Sequence, residues 1–296
     1  MPKLRETSLK LAIPKKGRLR DPAIKLLNKA GYAINDDPRL LHVYHSENDI
    51  DFLFLRTTDI PTLIEEGAID LGITGKDNVL EKQANIHEVM SLEYGHCRLC
   101  LAGATPKPTQ AKSAQTFSLQ TLAKKNVATS FPFLARRFFK EHNIAAPHLI
   151  KLSGSLEIMI ALKLCEAIID IVETGSTLKE NQLQIHHTIG HYYAALYTRN
   201  ALVKDKRVIL MKKRLTSALL AQNYRIIEYN IKKQLLNRAE AISPGFDSPT
   251  ISHLDDPDRV AVKILVKKSN VFAIMDKLEA IGATAIFETE IKNCRL

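Results

Sequence analysis

From residue 9 onward the chain switches repeatedly between two hydrophobic periods, and this limits its fold more than any other feature. LKLAIP (9–14), IDFLFLR (50–56) and IDLGIT (69–74) have the length and apolar content of buried strands. Between them, DPAIKLLNKAG (21–31) and TDIPTLIEEG (58–67) carry helical spacing and close on a glycine. Strands separated by helices predict an α/β fold with a mainly parallel sheet. After a polar stretch at 105–119 a second series begins, with NVATSF, HLIKLSG and AIIDIVE as strands and FLARRFFKEHN and LEIMIALKLCE as helices. HHTIGHYYAALYTRNALV (186–203) reads as further strand and KRVILMKKRLTSALLAQNY (206–224) as helix. From about 225 the order becomes strand, helix, strand, strand, helix, strand, which is the ferredoxin-like arrangement. Its second helix lines Val271, Ile274, Met275, Leu278 and Ile281 along one face.

Composition narrows the function classes. Of 296 residues, 45% are hydrophobic and 25% charged, the balance of a globular protein. No apolar run is long enough to span a bilayer, and the N-terminus lacks the apolar core of a secretory signal. Four cysteines without a framework predict a reducing, cytoplasmic setting. The net charge of +10 suits nucleic acid or small polyanions. Its lysines and arginines are scattered, with no basic stripe interleaved with aromatics, so the expected partners are small polyanions, with neither nucleic acid nor membrane.

Two segments echo each other. AIDLGITGKDNVLEK (68–82) and AIIDIVETGSTLKEN (167–181) each place an aspartate, Asp70 or Asp170, at the same distance before a Thr-Gly pair, Thr74-Gly75 or Thr174-Gly175. Both pairs fall where a strand meets a helix, and ligands of doubly wound folds sit outside the carboxyl ends of such strands. Thr174, Gly175, Ser176 and Thr177 offer three hydroxyls, a permissive glycine and helix-start amides, which suit either a phosphate or an ordinary capping turn. GITGKD lacks the spacing of a nucleotide P-loop, and Asp77 stands where that loop has Ser or Thr. PKKGRL (14–19) gathers Lys15, Lys16 and Arg18 after the first strand, as a phosphate-neutralising loop or a solvated turn. CRLC (97–100) has no second pair, and His186, His187 and His191 have no carboxylate or cysteine cluster beside them, so neither makes a convincing metal site.

Taken in order, PKKGRL, GAIDLGITGKDNVLE, GHCRL, VATSFP, GSLE, AIIDIVETGSTLKENQL, SPTISHLDDP and MDKLEAIGATAI resemble the ATP phosphoribosyltransferase family over nearly the whole chain. The resemblance implies a two-lobed catalytic part like type II periplasmic binding proteins and a C-terminal ferredoxin-like (ACT-like) α+β regulatory domain. It implies lobe I over 1–96 and 185–224, lobe II over 97–184 and the regulatory domain over 225–296. ATP and phosphoribosyl pyrophosphate would be the substrates, magnesium the cofactor held mainly by substrate phosphates, histidine the inhibitor, and self-association would run from dimer to hexamer.

Residue roles follow from the same resemblance. Thr174 to Thr177 would hold the 5-phosphate, with Asp170 and Glu173 near the ribose hydroxyls or magnesium-bound water. Lys15, Arg18, Arg56 and Arg98 would meet triphosphate and pyrophosphate, with Lys15 and Arg18 catalytic beside Asp170 and Glu173. Asp70, Thr74 and Gly75 would come from the facing lobe, nearer the nucleotide. Asn230, Phe246, Thr250, Asp255 and Ala285 would form the histidine site. Asn230 stands where some long-form relatives carry an acid, which implies a weaker hold on the inhibitor's ammonium group. A solute-binding protein and a ligand-responsive nucleic-acid regulator are the rival readings. The first lacks an export signal and the second a recognition helix.

Overall fold

The computed structural model describes residues 5, 7–35, 37, 39–105 and 117–295, so most of the polar stretch at 105–119 lies outside the described residues. Two compact units emerge, one of residues 1–24 and 35–208 and another of 25–34 and 209–296.

The first unit contains two sheets. Strands β1 (Leu9–Pro14), β2 (His42–His45), β3 (Ile50–Leu55), β4 (Leu71–Gly75), β5 (His87–Ser91) and β11 (Ala194–Thr198) form one, in the order β2-β3-β1-β4-β11-β5. Strands β6 (Cys97–Ala104), β7 (Asn126–Thr129), β8 (His148–Lys151), β9 (Ala167–Val172) and β10 (Leu183–Tyr192) form the other, in the order β10-β6-β9-β7-β8. Only β3-β1-β4 and β9-β7-β8 run parallel, and antiparallel strands flank them, so the sheets are mixed rather than mainly parallel.

Helix–sheet packing builds a core for each sheet. In the first lobe α2 (Ile60–Glu65) and α3 (Lys76–Lys82) bring Ile60, Ile64 and Val79 onto Ala12, Ala195 and Tyr197. In the second, α4 (Pro132–Glu141) lays Leu134, Ala135, Phe138 and Phe139 on one face, against Leu99, Leu101 and Ile169. The opposite face, with Ile168 and Val172, is covered by Leu156 before α5 (Glu157–Ala161) and by Leu178 of α6 (Ser176–Glu180). Period-two alternation along β9 therefore fixes the side to which each residue points.

One strand expectation fails in an instructive way. The run at 186–203 is two strands in different sheets: β10 pairs with β6, and β11 with β4 and β5. The second lobe thus continues to Tyr192, beyond the expected boundary at 184. The chain crosses between sheets at 92–96 and again at Tyr193. These crossings are tied together, since the Ala194 amide donates to the Tyr94 carbonyl at 3.0 Å.

The second unit also differs in extent, starting at Ile209 and including 25–34. Tyr32, buried just beyond α1 (Arg20–Lys29), takes the Arg214 guanidinium over its ring at 5.3 Å, which anchors 25–34 on α7 (Lys206–Asn223). Beyond α7 the chain follows the expected order: β12 (Tyr224–Lys232), α8 (Leu236–Ile242), β13 (Thr250–His253), β14 (Arg259–Lys267), α9 (Val271–Ala280) and β15 (Thr284–Glu290). The sheet order β13-β14-β12-β15, antiparallel throughout, is ferredoxin-like. Among the described residues no helix is long and apolar enough to cross a membrane.

Candidate active site

Parallel pairing decides which residues meet. Pro14 lies opposite Leu55, and Ala12 opposite Gly72, so the loops after β1, β3 and β4 leave the same edge of the first sheet. Lys15, Arg18, Arg56 and Gly75 therefore share that edge. In the second lobe the ends of β9, β7 and β8 likewise bring Glu173 to Thr177, Ser130 and Leu152 to Gly154 to one edge. Arg98 joins them because antiparallel β6 sets it opposite Val172.

Arg18 connects the two lobes. Its guanidinium donates to the Gly95 carbonyl at 2.5 Å and approaches Cys97 Sγ at 3.1 Å. It also lies 3.6 Å from Glu173 Oε1 and 3.9 Å from Asp77 Oδ1. Burial pushes the Asp77 carboxyl up, against the pull of Arg18. Asp77 Oδ1 is buried and has no hydrogen-bond donor among the described residues. Burial also raises the Cys97 thiol to about 11, which keeps it neutral beside the guanidinium. Arg98 and Glu173, with His96, His191 and Tyr192, line a cavity of about 180 Å³ at this junction.

The loop after β9 turns on a left-handed glycine and leaves its hydroxyls at the surface. Gly175 adopts φ +84°, a left-handed conformation that glycine takes without strain, and caps α6. Thr174, Ser176 and Thr177 are exposed, and the Thr174 and Ser176 hydroxyls lie 3.1 Å apart. Asp170 points to the face of Ile168 and Val172, and its Oδ1 accepts from the Ile171 amide at 2.8 Å. Burial raises its carboxyl to about 6, and the charge of Glu157 adds to the rise.

The echoing loop is built differently. Thr74 is buried and donates its hydroxyl to the Thr57 carbonyl at 3.0 Å, so it braces the segment after Arg56 and presents no free hydroxyl. Gly75 has φ −77°, without the left-handed turn of Gly175. Asp70 precedes β4, at the opposite end from Gly75, roughly 15 Å away along the strand. There its carboxylate accepts from Arg199 at 2.8 Å and from the Lys10 amide at 2.9 Å. Its expected place near the nucleotide is corrected: Asp70 is a structural ion-pair residue at the far edge of the sheet.

A larger cavity of about 860 Å³ opens between the lobes. Asn78, Lys82 and Thr58 line it from the first lobe, and Ser130, Arg136 and Lys151 from the second. The sequence alone marks no role for Glu81, Arg136 or Lys151, and Asp77 stands out there only as a departure from a P-loop. Among the described residues no group of three or more His, Cys, Asp or Glu side chains stands ready for a metal. Asp170 and Glu173 are the carboxylates beside the cradle, a donor set that fits magnesium bound mainly through substrate phosphates.

In the second unit the expected histidine residues are spread across the sheet and the loops beside it. Asn230 pairs with Thr284 beside a bulge, next to Ala285 at φ +50°. Thr250 opens β13, and β13 and β15 are opposite edges of the sheet, three strand spacings or roughly 14 Å apart. Asp255 lies in the loop after β13, and Phe246 sits edge-on to Tyr224 with ring centres 6.1 Å apart.

Comparison with known proteins gives a consistent result. The family model described as ATP phosphoribosyltransferase matches residues 56–219, and the one described as HisG, C-terminal domain, matches 221–293. An ATP phosphoribosyltransferase of Rhodopirellula baltica is 44% identical over 292 residues, covering 98% of this chain and 95% of the relative. One from Corynebacterium efficiens is 37% identical over 295 residues, covering 97% of this chain and 100% of the relative. Among solved structures, a chain of the ATP phosphoribosyl transferase (HisG:HisZ) complex from Thermotoga maritima superposes with a TM-score of 0.61 at 28% identity. That match covers 72% of this chain and 98% of the other.

Proposed function

The chain belongs to the ATP phosphoribosyltransferase family, enzymes of histidine biosynthesis, and from that membership we propose how its own cleft performs the transfer. The reaction is the condensation of ATP with phosphoribosyl pyrophosphate to N1-(5-phosphoribosyl)-ATP and pyrophosphate. The observation that carries this reading is the meeting of Arg18 with Glu173 beside the Gly175 loop, where the parallel strands of both lobes end.

Thr174, Ser176 and Thr177 hydroxyls and the amides at the start of α6 hold the 5-phosphate. Asp170 and Glu173 face the ribose hydroxyls. Arg18, Arg98 and Lys15 meet the pyrophosphate, and Arg56 with the larger cavity receives the nucleotide triphosphate. Adenine N1 attacks the anomeric carbon, the bond to pyrophosphate oxygen breaks, and the departing group takes the electron pair. No covalent enzyme intermediate is needed. Catalysis rests on positioning two polyanions and stabilising the leaving charge. Asp170 and Glu173 would help to hold magnesium brought in by the phosphates, and the ion would supply charge neutralisation of the leaving group. Closure of the lobes keeps water from the activated ribose.

We also assign a cytoplasmic setting, feedback inhibition by histidine and assembly from dimer to hexamer to this reading. Four free cysteines support the first. The separation of Thr250 from Ala285 supports a histidine site that draws its two edges from neighbouring copies.

Two experiments test the cradle. Calorimetric titration of the full chain with phosphoribosyl pyrophosphate and magnesium is expected to weaken about tenfold or more in Ser176→Ala/Thr177→Val. Unchanged affinity would remove the phosphate from this loop. Asp170 provides the second. Its ionised form is the one that accepts from ribose hydroxyls, so kcat/KM should rise as pH passes about 6, and Asp170→Asn should abolish that limb. Stability moves oppositely. An unfolded aspartate loses its proton near pH 4, roughly, whereas the folded one keeps it until about 6, so stability falls as pH rises through that window. Asp170→Asn is therefore expected to melt above the native protein at neutral pH while turning over more slowly. A variant that melts at or below the native temperature contradicts this.

A further inference from the structure

Helix α4 starts without a cap of its own. Its N-cap residue is Phe131, whose side chain makes no capping bond, and Pro132 at the first helical positions has no N–H to satisfy. The next two amides are met from the other lobe. Phe133 N donates to Glu81 Oε1 at 2.9 Å and to Oε2 at 3.1 Å, and Leu134 N donates to Oε2 at 3.0 Å. Glu81 lies on α3 in the first lobe, so the first turn of a ten-residue helix in one lobe is completed by a carboxylate of the other. The pairing is charge-assisted and aligned with the helix dipole, which makes it stronger than a neutral side-chain contact.

We infer that Glu81 is a positioning residue, a latch that holds the two lobes of the cleft closed on one another through the start of α4. Opening the cleft strips Phe133 and Leu134 of their acceptor, and the nearby Ser130 hydroxyl is turned to the Leu152 carbonyl at 2.8 Å. The Arg18–Glu173 ion pair closes the cleft beside the crossings, and the Glu81 contact closes it at the rim of the larger cavity. A ligand that requires closed lobes then binds in proportion to the closed fraction. That consequence for substrate rests on the proposed function, whereas the latch itself does not.

The test is a distance measurement on the full chain. Spin labels go on exposed Glu66→Cys in the first lobe and Lys140→Cys in the second, with Cys294→Ser, and labelled chain is diluted into unlabelled chain so that only distances within one copy are read. Native Glu81 is expected to give one short-distance population. Glu81→Ala should add a longer one, lowering the closed-to-open ratio about tenfold or more, and Glu81→Gln should fall between because its amide oxygen accepts the same bonds without charge. An unchanged distribution in Glu81→Ala overturns the latch. Should that variant fail to fold, an unchanged distribution in Glu81→Gln overturns it instead. In kinetics, KM for ATP is expected to rise more than kcat falls. Opening without any change in KM would keep the latch and count against the nucleotide reading of the cavity.

Discussion

Arg18→Ala is expected to lower kcat/KM for phosphoribosyl transfer by about two to three orders of magnitude while the catalytic unit stays folded. The expectation comes from the number of groups that one guanidinium serves. It meets the Gly95 carbonyl at the crossing between lobes, Cys97 on β6, Asp77 on α3 and Glu173 at the start of the cradle. Alanine leaves Asp77, already buried, without its counter-charge, and on the proposed function it also removes the planar donor to the departing pyrophosphate. Arg18→Lys separates the two contributions. It restores a charge but not the fork, so it should recover only a small part of the lost rate. Steady-state kinetics together with a thermal melt decide the matter. A loss below about threefold in Arg18→Ala would show that the guanidinium is structural and makes no use of the leaving group.

The second large effect is on folding. Gly72 is the second residue of β4, between Ala12 and Tyr197 and against α2. A Cβ at this position would come within 2.4 Å of Ile60 Cγ2 and 2.9 Å of Ile64 Cδ1, and both isoleucines are wholly buried. Neither side chain has free volume to retreat into, so Gly72→Val must lift α2 from the sheet. The expected cost is about 3 kcal/mol or more, read as a lowered urea midpoint. Because β4 carries Gly75 and Asp77 to the cleft, substrate affinity should fall in whatever protein remains folded. A midpoint within error of the native value would show that the close helix–sheet contact is absent.

Much of this architecture can be read in the sequence because hydrophobic period and end signals agree there. LKLAIP, IDFLFLR and AIIDIVE are strands, and Gly31 and Gly67 both adopt positive φ just beyond the helices that they were expected to close. The C-terminal β-α-β-β-α-β order also holds element by element. What escapes is whatever depends on partners distant in the chain. HHTIGHYYAALYTRNALV keeps one apolar character through Tyr193, so nothing local reveals that its halves belong to different sheets. The echo between Asp70-Thr74-Gly75 and Asp170-Thr174-Gly175 is present in the letters but absent from the geometry. β4 runs on through Gly75 and buries Thr74, whereas β9 stops at Val172 and frees Thr174. Asp70 is committed to Arg199, a residue 129 positions away, and no window of sequence shows that pairing. Glu81 escaped for the same reason, although an uncapped helix start at Phe131-Pro132-Phe133 was a visible sign that a cap had to come from elsewhere.

Product formation tests the central claim most directly. Purified protein is supplied with ATP, phosphoribosyl pyrophosphate and magnesium, with pyrophosphatase to draw the reaction forward, and product is followed by ultraviolet absorbance with and without histidine. The expected result is magnesium-dependent formation of N1-(5-phosphoribosyl)-ATP that histidine suppresses. Product that histidine leaves untouched would keep the cleft and turn attention to Asn230. Folded protein that binds both substrates and forms no product would contradict the account.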